Sequence, residues 1–370
     1  MRSRRKPLGF TSKIILVLNG IAVILLLFSY LAPLVKPQIF WPVAFLGIAY
    51  PILFAVNVLF IVFWLFRKFS YAFISLIAIG IGWTAIQKNF GFNSSVVVDS
   101  SERDTSTVRI MSYNVRMFHD DNGKDAKNQG EILELIKKIS PDVLCIQEFY
   151  SRTKGVNNVR KRYMEELGLN FSYFIPSARN DYDAYGIAIF SRYPITDSGN
   201  VDINTETGIV NKIVYSDINK RGKNFRIYNV HLQSVGFKQE DYDFIKNDIP
   251  IANVDVKSTK RIGSRLKSAY IKRNKQIDSL YSHTKNAKIP YIVAGDFNDT
   301  PLSYSVNKLS QDMQNAFVEK GSGFGVTYNG AFPNFQIDYI LASKEFDIQN
   351  FQIISEKLSD HYPIWSDLHL

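Results

Sequence analysis

Three runs without a charged residue open the chain. Residues 14–35 read IILVLNGIAVILLLFSYLAPLV, residues 39–66 form a second run containing Pro42 and Pro51, and residues 69–87 form a third that carries Ser70, Tyr71, Ser75 and Thr84. An apolar helix crosses the hydrocarbon core in about 20 residues. The pattern therefore predicts a helical transmembrane region over residues 1–90 with about three helices (14–35, 39–66 and 69–87), the second kinked or shortened by its prolines. A cleaved signal peptide fits the first run poorly. The run exceeds an h-region in length, no small-residue cleavage site follows it, and two further apolar runs come after. Trp41, Trp64 and Trp83 suit the water–membrane interfaces.

Residues 91–106, rich in Ser, Asp and Gly, read as a linker, and beyond them the pattern changes. Short apolar runs of strand length alternate with helical periods. Residues 108–115 (VRIMSYNV), 143–147, 186–191, 224–230, 290–294 and 336–341 read as strands. Residues 131–139 and 264–283 read as helices; the first places Ile132, Leu135, Ile136 and Ile139 on one face, the second Leu266, Ala269, Tyr270, Arg273, Ile277 and Leu280. Alternation of this kind predicts an α/β domain over residues 107–370. Residues 232–263 show no sustained period, and connections this long often shape a binding site.

Charge is divided unevenly. Residues 1–105 carry +7 of the formal +10, which leaves +3 for the rest of the chain. That small excess argues against a strongly basic duplex-binding groove. The basic residues instead orient the membrane region. The Arg2–Lys6 cluster and Arg67-Lys68 should stay cytoplasmic, so three crossings would carry the α/β domain to the non-cytoplasmic side. The uncharged runs offer no intramembrane acid or base and so no ion path, which disfavours a transporter. The single cysteine, Cys145 within VLCIQ, excludes a disulfide scaffold and reads as a small buried hydrophobe. Arg160–Arg162 and Lys257–Arg265 read as solvated basic faces or as contacts to phosphate-bearing substrates, and His283 and His369 as structural.

Strand after strand ends in polar groups: Asn114, Gln147-Glu148, His231, Asp296 with Asn298, Asp338, and the closing Asp360-His361. Ligands in α/β sheets collect beyond strand ends, on loops held by a rigid scaffold. A set of carboxylate and amide oxygens with no thiolate suits a hard cation such as Mg2+ or Mn2+.

In order along the chain stand SYNVR (Ser112–Arg116), IQE (Ile146–Glu148), NVHL (Asn229–Leu232), GDFN (Gly295–Asn298), IDYIL (Ile337–Leu341) and SDHYPI (Ser359–Ile364). In these the sequence resembles the endonuclease/exonuclease/phosphatase family, over about residues 107–370. The resemblance implies a four-layer α/β sandwich, two packed mixed β-sheets flanked by helices, with a divalent cation at one edge. It implies Glu148 as the main metal ligand, with Asn114 beside metal and phosphate and Asp360 close by. His231 would hydrogen-bond a phosphate oxygen, Asp296 orient or deprotonate the attacking water, and Asn298 bind the developing charge. His361 would be the second imidazole at the phosphate, its tautomer held by Asp338. Some nucleases of the family carry a tyrosine two residues before the glycine of the strand at 186–191. Ala184 stands there instead, with Tyr182 and Tyr185 displaced, which argues against an abasic-site enzyme. The implied protein is a membrane-anchored, Mg2+- or Mn2+-dependent phosphoesterase, a nuclease first. A sphingomyelinase-like phospholipid phosphodiesterase, or a phosphatase of a small substrate, is the alternative. Its partners would be the phosphate-ester substrate and the membrane, with no obligate protein partner evident.

Overall fold

The computed structural model describes residues 8–94, 104–119, 128–152, 158–203, 212–246, 255–330 and 334–370. The Arg2–Lys6 cluster and residues 95–103 of the linker lie outside the described residues. The chain forms two compact units, residues 1–86 with 302–304, and residues 87–301 with 305–370.

In the first unit two helices, Phe10–Ser29 and Tyr50–Arg67, are long and apolar enough to cross a membrane, and Phe69–Ile81 with Trp83–Asn89 forms a third candidate bent by 66°. Pro42 and Pro51 each stand in the first turn of a helix, so the run at 39–66 is divided into the short helices Pro37–Phe40 and Pro42–Ile48 and the long helix from Tyr50. A proline lacks the N–H that would continue the preceding helix, yet fits the first turn of the next. Polar side chains of this unit meet one another inside it. Asn19 Nδ2 donates to Ser75 Oγ (2.6 Å), Ser75 Oγ donates to Asn57 Oδ1 (2.9 Å), and Trp64 Nε1 donates to Asn19 Oδ1 (3.0 Å). Trp64 is thus fully buried, and the interfacial position expected of it is corrected. Its N–H satisfies Asn19 rather than meeting water.

The strands of the second unit are, in chain order, β1 (Phe90–Phe92), β2 (Thr107–Asn114), β3 (Val143–Arg152), β4 (Phe171–Arg179), β5 (Asp183–Ser191), β6 (Ile195–Asn200), β7 (Ile213–Lys220) and β8 (Lys223–His231). There follow β9 (Tyr291–Asp296), β10 (Met313–Asn315), β11 (Ser322–Phe324), β12 (Asp338–Ser343), β13 (Asp347–Ile348), β14 (Gln352–Ile353) and β15 (Ile364–His369). One sheet runs β10-β12-β9-β8-β7-β6, the other β13-β15-β2-β3-β5-β4 with β14 beside β15, and β1 pairs with β11.

Each main sheet carries apolar residues on both faces, and the alternation assigns them to layers. Val108, Ile110, Val143, Cys145, Ile187 and Ile189 from one sheet pack against Val214, Ile227, Ile292, Ala294, Ile340 and Ala342 from the other. The intervening Met111, Leu144, Ile146, Ala188 and Phe190 face helices Gln129–Ile139 and Val159–Leu167. Tyr228, Val230 and Val293 face Ile277 and Leu280 of helix Val256–Lys285. The result is the expected four-layer sandwich, with Cys145 buried in the layer between the sheets.

Several elements departed from the apolar pattern. Strand β4 is mostly half-exposed and β6 mostly polar, so neither shows a clean period of two. The long helix begins at Val256 because Asp255 caps it, accepting from the N–H groups of Lys257 and Ser258 at 3.0 and 3.2 Å. A further helix, Gln239–Lys246, lies within the stretch read as aperiodic.

Candidate active site

Strands β2 and β3 run parallel, as do β8 and β9, and each pair is joined through a helix. Parallel pairing brings strand ends to a common edge, where Asn114 stands opposite Gln147 and His231 opposite Asp296. The antiparallel partner β12 begins there, which sets Asp338 opposite Asp296. Asn114 Nδ2 donates to Asp296 Oδ2 at 3.1 Å, so polar residues from the two sheets meet directly.

Local backbone geometry aims the side chains. Glu148 has a left-handed φ of 52° at the bulge where the β3–β5 register shifts between Ile146 and Phe149. Gly295 has φ 144°, and a Cβ there would lie 2.1 Å from the Val230 carbonyl oxygen, so the GDFN turn requires glycine. Asn298 is left-handed at φ 52°; its backbone N–H donates to Asp296 Oδ1 at 2.7 Å and its side-chain amide to Asp296 Oδ2 at 3.0 Å. Ser359 Oγ donates to the Asn114 carbonyl at 2.9 Å and ties the Asp360-His361 loop to β2.

Asp296 is the point of convergence. Besides the three amide groups, His231 Nε2 stands 3.7 Å and His361 Nε2 3.8 Å from its Oδ2. His231 Nε2 is also 3.7 Å from Glu148 Oε1, and Asn114 Nδ2 reaches the same oxygen at 3.5 Å. His361 Nδ1 hydrogen-bonds Asp338 Oδ2 at 2.9 Å. Asp360 Oδ2 faces Arg116 Nε at 3.6 Å. All eight sequence-derived candidates therefore stand at one edge.

Burial separates their protonation. Desolvation raises the Asp296 carboxyl, against the pull of the two imidazoles. Burial also works against an imidazolium at His361, but the Asp338 and Asp296 carboxylates outweigh it and push its pKa up to about 10. His231 moves the other way, because its desolvation prevails and keeps it neutral. Glu148 is raised, first by desolvation and then by the charge of Asp360.

Among the described residues, the His, Asp and Glu group whose ligand atoms all lie within 4.8 Å of one another is Asp296, Asp338 and His361. The Asp338–His361 hydrogen bond already uses one atom of each, so these three have the geometry of a proton-holding set. The oxygen donors Glu148, Asn114 and Asp360 stand beside it. The charge of Asp360 raises the cost of ionising Glu148, and such a donor set suits a hard cation.

Other groups emerge only in three dimensions. Gln147 does not line the site; its Nε2 donates to Asn229 Oδ1 at 2.6 Å, and Asn229 Nδ2 donates to the Ile146 and Ala188 carbonyls, which ties the two sheets together beneath it. Thr327 Oγ1 accepts from the Ile337 and Asp338 N–H groups at 2.9 and 3.0 Å. Tyr185, set aside on sequence, lines a cleft of about 170 Å3 with Met117, Glu148, Ser177, Gly186 and His231. Tyr328 bridges to His361 and meets its ring edge-on at 5.3 Å. Nothing in the sequence signalled the place of Tyr328. The basic clusters are largely engaged within the fold: Arg160 bonds Ser172, Arg162 pairs with Glu166, and Arg261 and Arg265 pair with buried Asp241. His283 Nδ1 hydrogen-bonds the Tyr228 hydroxyl at 2.8 Å, away from the site.

Comparison with known proteins adds a family. The model of the Endonuclease/Exonuclease/phosphatase family matches residues 111–361, and a domain of unknown function (DUF8431) matches residues 12–89. The fold is similar to an endonuclease/exonuclease/phosphatase from Beutenbergia cavernae at 17% identity and TM-score 0.53, over 71% of this chain and 72% of that one. A family protein from Leptotrichia buccalis matches at 17% identity and TM-score 0.51, over 71% and 100% of the two chains. A humanized D. rerio TDP2 matches at 16% identity and TM-score 0.50, over 72% and 100%. No curated protein matches the sequence.

Proposed function

Because the chain belongs to the Endonuclease/Exonuclease/phosphatase family, we propose that it is a membrane-anchored, divalent-cation-dependent phosphoesterase that cleaves a phosphodiester with water activated at Asp296. The observation that carries this reading is the convergence of two imidazoles and two side-chain amides on the Asp296 carboxylate. A phosphodiester anion repels its nucleophile, so the site must supply donors for the phosphoryl oxygens and a base for the water.

Asp296 is that base. Asn298 and Asn114 hold its carboxylate and lie where negative charge develops. Neutral His231 donates to a phosphoryl oxygen. Protonated His361, its Nδ1–H given to Asp338, presents Nε2–H to the phosphoryl group and its leaving oxygen. Glu148, Asn114 and Asp360 would hold the cation, Mg2+ or Mn2+, which when bound supplies charge neutralisation at the phosphate.

Two features bear on substrate. Phe237 and Tyr242 meet edge to face at 5.8 Å on the segment after His231, and the Tyr242 hydroxyl adjoins Tyr328 beside His361. Aromatic rings beside the site can accept a base by stacking. With Arg261 and Arg265 committed to Asp241, the reading is a nuclease of single strands rather than of duplexes.

The membrane reading rests on the first unit. Asn19, Asn57, Trp64 and Ser75 are fully buried and satisfy one another, as polar groups in hydrocarbon must. Ser75 belongs to the third segment, which supports three crossings. Arg67 Nε donates to Ser12 Oγ at 3.3 Å, so Arg67 shares an end of the bundle with the start of the first helix. By the positive-inside rule that end is cytoplasmic and the α/β domain lies on the opposite side.

The test uses the full chain in nanodiscs with Mg2+ or EDTA, on circular single-stranded DNA, RNA and sphingomyelin liposomes. EDTA-sensitive cleavage of a nucleic acid is expected. Release of choline phosphate with nucleic acid intact moves the reading to the lipid alternative. Silence on every phosphodiester overturns it.

A further inference from the structure

We propose that Arg116, carried on a left-handed turn behind Asn114, is the residue that clamps the substrate's phosphoryl oxygens. This rests on the phosphoesterase reading above and names the group that receives its anion. Arg116, Met117 and Phe118 have φ values of 46°, 53° and 64°. Three consecutive L-residues in this region are unusual, because each Cβ crowds the following carbonyl oxygen. Such a conformation persists where the surroundings over-determine it, and it clusters at ligand clamps.

The surroundings do over-determine it. Asn114 Oδ1 accepts the Arg116 N–H at 3.1 Å, and the Phe118 N–H closes onto the Val115 carbonyl at 2.7 Å. Phe118 is fully buried, edge-on to Phe149 at 5.8 Å and tilted against Tyr163 at 6.0 Å. The turn is therefore pinned at one end by the site itself and at the other by an aromatic core.

What the turn presents is a cation. The guanidinium lies 3.6 Å from Asp360 and remains 35% exposed. Its positive charge bears on Glu148 and on Tyr328, so it stands among residues that ring the scissile position. The next residue, Met117, lines the cleft that holds Glu148 and His231. A guanidinium offers a planar fork that matches two phosphate oxygens at once, which a lysine ammonium does not. Asp360 pairs with the Nε edge of that fork.

The experiment compares the full chain with Arg116→Ala, Arg116→Gln and Arg116→Lys. It follows turnover of bis(4-nitrophenyl) phosphate with Mg2+, inhibition by inorganic phosphate, and thermal unfolding. The clamp requires Arg116→Ala and Arg116→Gln to raise KM and the phosphate inhibition constant about 10- to 100-fold. Arg116→Lys should recover part of that loss. Unchanged phosphate inhibition in a folded Arg116→Gln protein, whatever its melting temperature, would leave Arg116 a turn-holding residue and overturn the proposal. Calorimetric binding of inorganic phosphate separates the two readings. If the wild type binds phosphate through Arg116 yet turns over no diester, the clamp stands and the phosphoesterase reading fails. If wild type and Arg116→Gln bind phosphate equally, the clamp fails.

Discussion

Asp296 and His361 lie 3.8 Å apart, and what stands behind each sets its pKa. Asp338 keeps His361 charged, while desolvation makes Asp296 a more willing base. The His361 pKa is raised from 6.5 to about 10, so its contribution to stability is fully present below about pH 6.5 and is lost as pH rises through about 10. Asp338→Asn removes the carboxylate. It should lower the His361 pKa by about one unit or more and shift the alkaline limb of the rate–pH profile downward. The stability gap between wild type and Asp338→Asn should be widest in acid and close toward pH 10. A limb and a gap that do not move would remove Asp338 from this role. At this scale the sequence was informative where a residue sits in an ordered motif at a strand end, as Asp296 and His361 do. It was silent on Thr327 and Tyr328, whose places depend on loops whose course no local period records. Gln147 shares a motif with Glu148, yet turns inward because its partner, Asn229, lies on the other sheet.

Strand β2 shows how an element is fixed as well as aimed. Arg109 forms a bidentate pair with Asp367 of β15 at 2.7 and 2.8 Å, donates to the Ile139 carbonyl, and stacks on Trp365 at 4.1 Å. Both charges are buried, so Arg109→Met leaves an uncompensated carboxylate and should cost about 3–5 kcal/mol, while Arg109→Met with Asp367→Leu should recover most of it. Thermal unfolding of the two variants decides; equal losses would mean that the pair is not what joins β15 to β2. Strands apolar on both faces, such as β2, β3 and β9, were legible because near-continuous apolar runs are what a sheet buried on both sides demands. The edge strands β4 and β6 were not, since solvent on one side relaxes the pattern. The long helix was read eight residues short at its start because its first two turns are polar and only the Asp255 cap marks where they begin.

For the whole molecule, the division between an apolar N-terminal region and an α/β region was plain from charge-free runs alone. The break of the second run was not, since a proline reads equally as a kink or as the first turn of a new helix. Side follows from the number of crossings. A Lys344→Cys variant of the otherwise protected chain, whose native Cys145 is buried, should be labelled in intact cells by a membrane-impermeant maleimide. Labelling only after lysis would mean two crossings and a cytoplasmic site.

Single-turnover hydrolysis of single-stranded DNA by the nanodisc-embedded chain, with Mg2+ and then EDTA, beside His361→Ala, tests whether this edge is a metal-dependent phosphoesterase site. The wild type should cleave in a way that EDTA abolishes, and a His361→Ala protein that melts normally should be about 10²- to 10⁴-fold slower. Cleavage that survives EDTA, or a folded His361→Ala protein at the wild-type rate, would contradict that reading.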